Sequence, residues 1–429
     1  MKKLLKFIIV IIFIFAGIII VFKYVHNGYT VKCKENNVNY IIKFKGITGA
    51  VDFAEDIDKN FYVAYKNGIQ EICKDGKTES ILRSNDENIM SMVYYNNKLY
   101  FSSNHSVGYY DLKTKKNVKI INNIPNFGDY KDVFITIRNG YLYASIGSAT
   151  NNGVVGKDNK WIKENPYTFD VTPKNITLKG TNFGDEMTGA FVPYDTPNIK
   201  GQIIPGHFPG NSSVIICNLS TKAVETFAWG IRNVGGMDID KSGKIVATIG
   251  GMEDRGARPV KGDSDYIYEI DKDKWYGWPD YSGGDPVDSP KFKNRNRRIL
   301  DKVPSINPPA PLYQYDKVGS LSSLAIDKNG FLGIKNCIFV YDKNDNSIVK
   351  LHGSVKDKFI NFTNKSFIKS VHIFDDGMYV LDSKEGCLLQ IYKGNKSDKI
   401  LVDKKIVYSL IGVMGISSLM IFILGFKKN

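Results

Sequence analysis

The residues best suited to chemistry in this chain lie in one stretch, residues 229–287. Arg232 and Asn233 follow Trp229-Gly230-Ile231, at the point where a strand should enter a central channel. An arginine offers a planar fork of five N–H donors and the adjacent amide adds its own, a set suited to a carboxylate or a polar carbonyl. The same two residues serve equally well as an ion pair with a loop carboxylate and a turn cap, so the residues alone leave both readings open. Asp238 and Asp240, two apart on a strand, share a face. Gly250-Gly251 free main-chain carbonyls beside Glu253 and Asp254. Hard oxygens of this kind can hold calcium, although no EF-hand spacing accompanies them and turn acids are the default.

Asp263, Asp265, Glu269 and Asp271 alternate along DSDYIYEID, which predicts one solvated strand face. Residues 181–191 are Gly-rich around Asp185 and Glu186 but carry no phosphate-loop pattern. Of five histidines, His207 in PGHFPGN is best placed near a channel mouth, and a lone loop histidine is by default a surface residue. No nucleophile elbow, zincin motif or dinucleotide fingerprint is present. The five cysteines are far apart, without zinc or redox spacing. Their odd number leaves at least one unpaired within the chain; buried packing is expected for most, and a Cys33–Cys73 bridge is left open.

The elements that must position these residues repeat. Strand-turn-strand units occur at 92–103, 134–145, 237–248, 324–334 and 371–382, with a weaker copy from Ala54. Each has two alternating apolar runs around Asn-Asn, Asn-Gly, Ser-Gly or Asp-Gly, residues that tolerate the positive φ of a two-residue hairpin. Residues 106–121 and 336–351 supply third and fourth strands. Six four-stranded units predict an all-β, six-bladed propeller, whose radial stacking buries both faces of every sheet; the spacing favours this over paired β-sandwiches. Long insertions at 147–210 and 251–314 interrupt the third and fourth units.

The ends differ from the middle. Residues 7–22 form an unbroken apolar run behind Lys2, Lys3 and Lys6, and residues 406–426 a second, about 31 Å long as a helix. No small-x-small cleavage site follows Phe22, so an uncleaved anchor is expected. Three domains result: an N-terminal transmembrane helix at 1–27, the propeller at 28–400, and a C-terminal transmembrane helix at 401–429. The terminal lysines favour cytoplasmic ends and an extracytoplasmic propeller at the cell membrane, with Lys404 and Lys405 mildly opposed. Membrane lipids are then partners. The formal charge of +14 is spread along the chain, densest at Lys291, Lys293, Arg295, Arg297 and Arg298, and reads as a solvated loop or a contact for anionic lipid or wall polymer. This placement, with no nucleic-acid motif, argues against nucleic acid.

WGIRNVGGMDIDKSGKIVATIGG, RGARPV and YGWPDYSGGDPV together resemble the glucose/sorbosone dehydrogenase family, quinoprotein six-bladed propellers that bind pyrroloquinoline quinone. Residues 165–197 are similar to an insertion in its membrane-associated members. The resemblance is good over about residues 130–290 and loose in the outer units. It implies a tricarboxylate quinone and calcium at the channel mouth, and oxidation of a sugar or related alcohol or aldehyde by hydride transfer. It assigns Arg232 and Asn233 to the cofactor, with Lys343 and Lys369 as further cations, and the Gly250 and Gly251 carbonyls to calcium. The family's histidine base has no counterpart: FGDYKDVF offers only Asp129 and Tyr130, and a carboxylate is a poorer proton acceptor near neutral pH than imidazole. Two functions therefore stand side by side, a sugar-oxidising quinoprotein and a propeller that binds carbohydrate, cell-envelope polymer or protein without catalysis.

Overall fold

In the computed structural model the described residues are 29, 31–353, 355–362 and 366–394. They form six antiparallel sheets of four or five strands and contain no α-helix. Sheet I comprises Ala50–Glu55, Phe61–Tyr65, Gly68–Ile72 and Thr78–Arg83; sheet II, Ile89–Tyr95, Lys98–Ser103, Ser106–Asp111 and Lys116–Ile121. Sheet III comprises Ile135–Arg138, Tyr141–Ile146, Ser213–Asn218 and Val224–Trp229; sheet IV, Val234–Ile239, Ile245–Ile249, Tyr266–Ile270 and Tyr313–Gln314. Sheet V runs Leu321–Asp327, Cys337–Asp342, Ser347–His352 and Val355–Phe362, and takes Val31–Cys33 at its edge. Sheet VI runs Ile368–Phe374, Gly377–Asp382 and Cys387–Lys393, and is completed by Val38–Lys45.

The sheets stand in a ring because apolar clusters join successive sheets. Ala54 and Ile69 of sheet I pack with Met92 and Leu99 of sheet II, and Val246 and Ile267 of sheet IV with Leu324 and Val340 of sheet V. Phe53 and Phe61 of sheet I meet Tyr379 and Leu388 of sheet VI, which closes the circle. Full burial of each such side chain is worth about 1.5–3 kcal/mol. The first strands line the axis, pegged to one another by side chains. Met92 N donates to Asp52 at 2.7 Å, Ile326 N to Asp238 at 2.9 Å and Val371 N to Ser323 at 2.9 Å. This is a propeller-like all-β fold.

Most hairpins fall where the sequence places them. Asn96-Asn97 and Asn139-Gly140 take positive φ at both positions, the backbone that a two-residue turn requires. The 324–334 unit differs. Asp327 accepts from the main-chain N–H groups of Gly330, Phe331 and Leu332, folding FLGI into a loop, and the partner strand begins only at Cys337. Asp263 and Asp265 also differ from expectation: they precede the Tyr266–Ile270 strand and are buried. Asp265 accepts from Gly251 N, Gly319 N, Ser320 N and Leu321 N, tying sheet IV to sheet V.

The insertions form a body of their own at the end of the ring where the first strands start. Ile203–Ile204, Ile176–Leu178 and Leu300–Lys302 make a small sheet over a core that includes Trp275, Trp278 and Phe292. Within it Arg258, fully buried, pairs with the equally buried Asp280 at 2.8 Å. The basic run 291–298 is knitted into this body: Lys291 pairs with Asp285, Arg298 with Asp288, and Arg297 donates to Asn182 O. Cys73 is a free thiol, so no bridge to Cys33 forms, while Cys217, Cys337 and Cys387 are buried. The apolar runs 7–22 and 406–426 lie outside the described residues; among those described, no helix is long and apolar enough to cross a membrane.

Candidate functional site

Arg232 stands between sheets III and IV, placed by a backbone that only glycine permits. Gly230 has φ +71, and a Cβ there would collide with the Trp275 indole. Beyond it Ile231 N bonds Ser212 O and Ser148 N bonds Arg232 O. The side chain is 4% exposed. Its Nε donates to Asn151 O at 2.8 Å, Nη1 to Gly250 O at 3.2 Å, and Nη2 to Asn151 Oδ1 at 2.8 Å and to the Tyr130 hydroxyl. The Tyr130 ring covers the guanidinium face at 4.2 Å.

A second arginine completes the network. Arg255 donates to Asp129 at 2.7 Å and to the Tyr130 hydroxyl at 3.0 Å, and pairs with Asp158 and Glu253. Glu253 also lies 3.6 Å from Arg232 and accepts from the Tyr130 hydroxyl at 3.2 Å. Burial works against the Glu253 carboxylate, but the Arg255 hydrogen bond and both arginine charges hold its pKa below the ordinary value. Burial likewise raises the Tyr130 hydroxyl. Asp129 is held from the other side by Asn159 Nδ2 at 2.9 Å and Trp161 Nε1 at 2.8 Å.

The network rests on Asp170, which is buried beneath the start of the first insertion. It accepts from Ala149 N at 2.6 Å, Thr150 N at 3.1 Å and Thr150 Oγ1 at 2.5 Å, and so fixes the turn that presents Asn151. Burial is the main reason its pKa is pushed up to about 7, with the Asp129 charge adding.

The residues singled out in the sequence are thus only partly brought together. Arg232 and Gly250 touch, and Asn233 is half-buried beside Gly250, its amide without a hydrogen-bond partner among the described residues. Asp129 joins them through Arg255. Gly251 packs so closely on Ser264 O that no Cβ fits. Lys369 pairs instead with Asp132 at 3.4 Å, and Lys343 is an exposed turn residue bonded through its backbone N to Ser320 O. Asp240 caps the Ser242-Gly243 turn, as turn acids do. His207 bonds its own loop at Pro209 O. Asn151, Asp158, Trp161, Asp170 and Arg255 escaped sequence reasoning, since their partners lie up to 127 positions away.

No protein-family model matches the chain, and no curated protein matches its sequence. Solved structures do share the fold. The iodide and calcium structures of a Trichoderma reesei carbohydrate-active enzyme of family AA12 each superpose with TM-score 0.58, at 11% and 12% identity, over 85% of this chain and 98% of theirs. The holo pyranose dehydrogenase PQQ domain from Coprinopsis cinerea gives 0.56 at 11% identity, over 85% and 97%. The chain therefore has the propeller fold of quinoprotein sugar dehydrogenases, as the resemblance implied.

The residues fit a tricarboxylate quinone poorly. Such a ligand needs unpaired cationic forks, whereas here two arginines are set against three carboxylates, Glu253, Asp129 and Asp158. Arg232 is sealed by Tyr130 and already donates to three carbonyl oxygens and a hydroxyl. For calcium, the Gly250 carbonyl is engaged by Arg232, and no group of three or more His, Cys, Asp or Glu side chains able to hold a metal occurs among the described residues.

Proposed function

We propose that this chain is a membrane-anchored, six-bladed propeller built on the quinoprotein sugar-dehydrogenase plan that binds cell-envelope carbohydrate without oxidising it. The observation that carries this reading is the self-neutralised mouth. Arg232 and Arg255 are committed to Asn151, Gly250, Tyr130, Glu253, Asp129 and Asp158, so neither can grip an incoming carboxylate. Asp129, the residue at the position of the family's base, is bonded to Arg255, Asn159 and Trp161 and is not free to take a proton from a substrate hydroxyl.

Both apolar ends span the cytoplasmic membrane in this reading, with the termini inside and the propeller outside, facing wall polymer. The carbohydrate partner is supported by the shared fold with proteins named for carbohydrate and pyranose chemistry. The test uses the full-length chain in detergent, titrated with pyrroloquinoline quinone and calcium and assayed on aldoses with an artificial electron acceptor. The expected result is no quinone retention and no turnover, with cosedimentation on isolated cell walls. Quinone-dependent reduction of the acceptor would overturn it in favour of the dehydrogenase.

A further inference from the structure

Beside the arginine network, and sharing Asp129 with it through Trp161, a cavity of about 230 Å³ opens between sheet II and the first insertion. Its walls are amides and rings, and no carboxylate lines it. Two aromatic side chains stand in it, one held by a polar contact at its edge and the other by a ring contact. Trp161 is anchored through Nε1 to Asp129 at 2.8 Å. Phe127 is 47% exposed and lies against His105, centroids 4.4 Å apart.

The polar groups are oriented by a chain of bonds that can be read to the proton. Asn126 Nδ2 donates to the carbonyls of Asn104 and Lys131, so the amide atom left for His105 is Oδ1, 2.6 Å from Nδ1. His105 Nδ1 also meets Ile124 O at 3.2 Å, a second acceptor. Nδ1 therefore carries hydrogen, and in the neutral ring Nε2 is left as an acceptor. The side-chain amides of Asn88 and Asn165 and the Lys131 ammonium line the same cavity and have no hydrogen-bond partner among the described residues.

An exposed phenyl ring, a half-buried indole, unpartnered amides, one cation and no acid form a set that matches a sugar ring. Its C–H face packs on an aromatic plane while its hydroxyls both donate and accept. The volume is below the roughly 300 Å³ at which drug-sized pockets begin, which suits one pyranose unit, and the exposure of Asn104, His105 and Asn165 leaves room for a chain to continue. We infer that this cavity is a binding site for one pyranose unit of a neutral glycan. Phe127 and Trp161 form its platform, and Asn88, Asn165, Lys131 and His105 Nε2 bond its hydroxyls. The inference rests on the carbohydrate-binding reading above and names where that binding occurs.

The test is titration calorimetry of the full-length chain with cellotetraose, maltotetraose, tetra-N-acetylchitotetraose and, as an anionic arm, tetragalacturonate. A neutral tetrasaccharide is expected to bind, and Asn88→Ala/Asn165→Ala and Phe127→Ala each to weaken it at least tenfold with the melting temperature unchanged. If Phe127→Ala unfolds, the Asn88 and Asn165 amide pair decides alone. Unchanged affinity in the amide variant, or binding of the anionic sugar only, overturns this site. Cosedimentation with cell walls but no binding of any neutral tetrasaccharide also overturns it while leaving the broader reading standing, and quinone-dependent turnover with intact glycan binding does the reverse.

Discussion

His372 and Asp52 face each other across the seam between sheet VI and sheet I, Nε2 to Oδ1 at 2.8 Å. Asp52 also receives Met92 N at 2.7 Å, so one carboxylate spans three successive first strands. Burial alone would lower the His372 pKa, but the Asp52 charge and hydrogen bond raise it, with Asp238 adding and Lys328 opposing. Asp52, despite its burial, is lowered by the same histidine.

The pair gives stability a pH window. A raised histidine stabilises fully below its unfolded pKa of about 6.5 and loses that contribution as pH rises through the folded value; a depressed aspartate loses its contribution as pH falls through its own. Thermal unfolding from pH 5 to 9 should show the melting temperature falling on the alkaline side, and His372→Gln should flatten that fall.

Asp170 should add a second slope over a neighbouring range. Its carboxyl, raised to about 7 by burial, favours folding most when protonated, so stability declines as pH rises from about 4 through 7. Carboxyl-carbon NMR should place its titration near neutrality. Asp170→Asn should remove that slope but keep a carbonyl acceptor for Ala149 and Thr150.

Arg258 and Asp280 are both fully buried, and Asp280 also accepts from Ile299 N and Leu300 N. Removing one charge leaves the other without compensation, which costs about 3–5 kcal/mol. Arg258→Met should show that loss in urea unfolding. Adding Asp280→Leu should recover only part of it, because two main-chain donors then lack their acceptor.

Opening the closed mouth should free a cationic fork for an anionic ligand. Tyr130→Ala/Glu253→Gln uncovers the Arg232 guanidinium and removes a competing carboxylate. The variant should bind pyrroloquinoline quinone at least tenfold more tightly than the parent chain in an absorbance titration; no change would mean the network is not what excludes it.

The ring was legible in the sequence because its signals are local: a period-two apolar pattern and Asn-Gly or Asn-Asn turns report one hairpin at a time. The 324–334 unit misled for a physical reason. Asp327 bonds three loop N–H groups, and such a side-chain cap overrides an Asn-Gly hairpin signal. Asp263 and Asp265 misled because alternation marks a strand face only within a strand, and both lie before one. Arg232 was visible as a donor, but its partners Tyr130, Asn151 and Glu253 come from distant segments, so whether its fork was open or closed could not be read along the chain.

The strand Val38–Lys45 completes sheet VI beside Cys387–Lys393, with Val38 opposite Lys393 and Lys45 opposite Cys387. At that end Gly394 N bonds Asn37 O and Asn39 Nδ2 bonds Gly394 O, so the two outgoing ends of this pair leave from one spot. A load pulling them apart meets the ladder end-on and opens it one rung at a time, the way a zip parts, instead of shearing all rungs together. On the N-terminal side the same load passes through Val31–Cys33, paired with residues 360–362 of sheet V, so the edge of sheet V and the Val38–Lys393 rung share the strain that holds the ring closed.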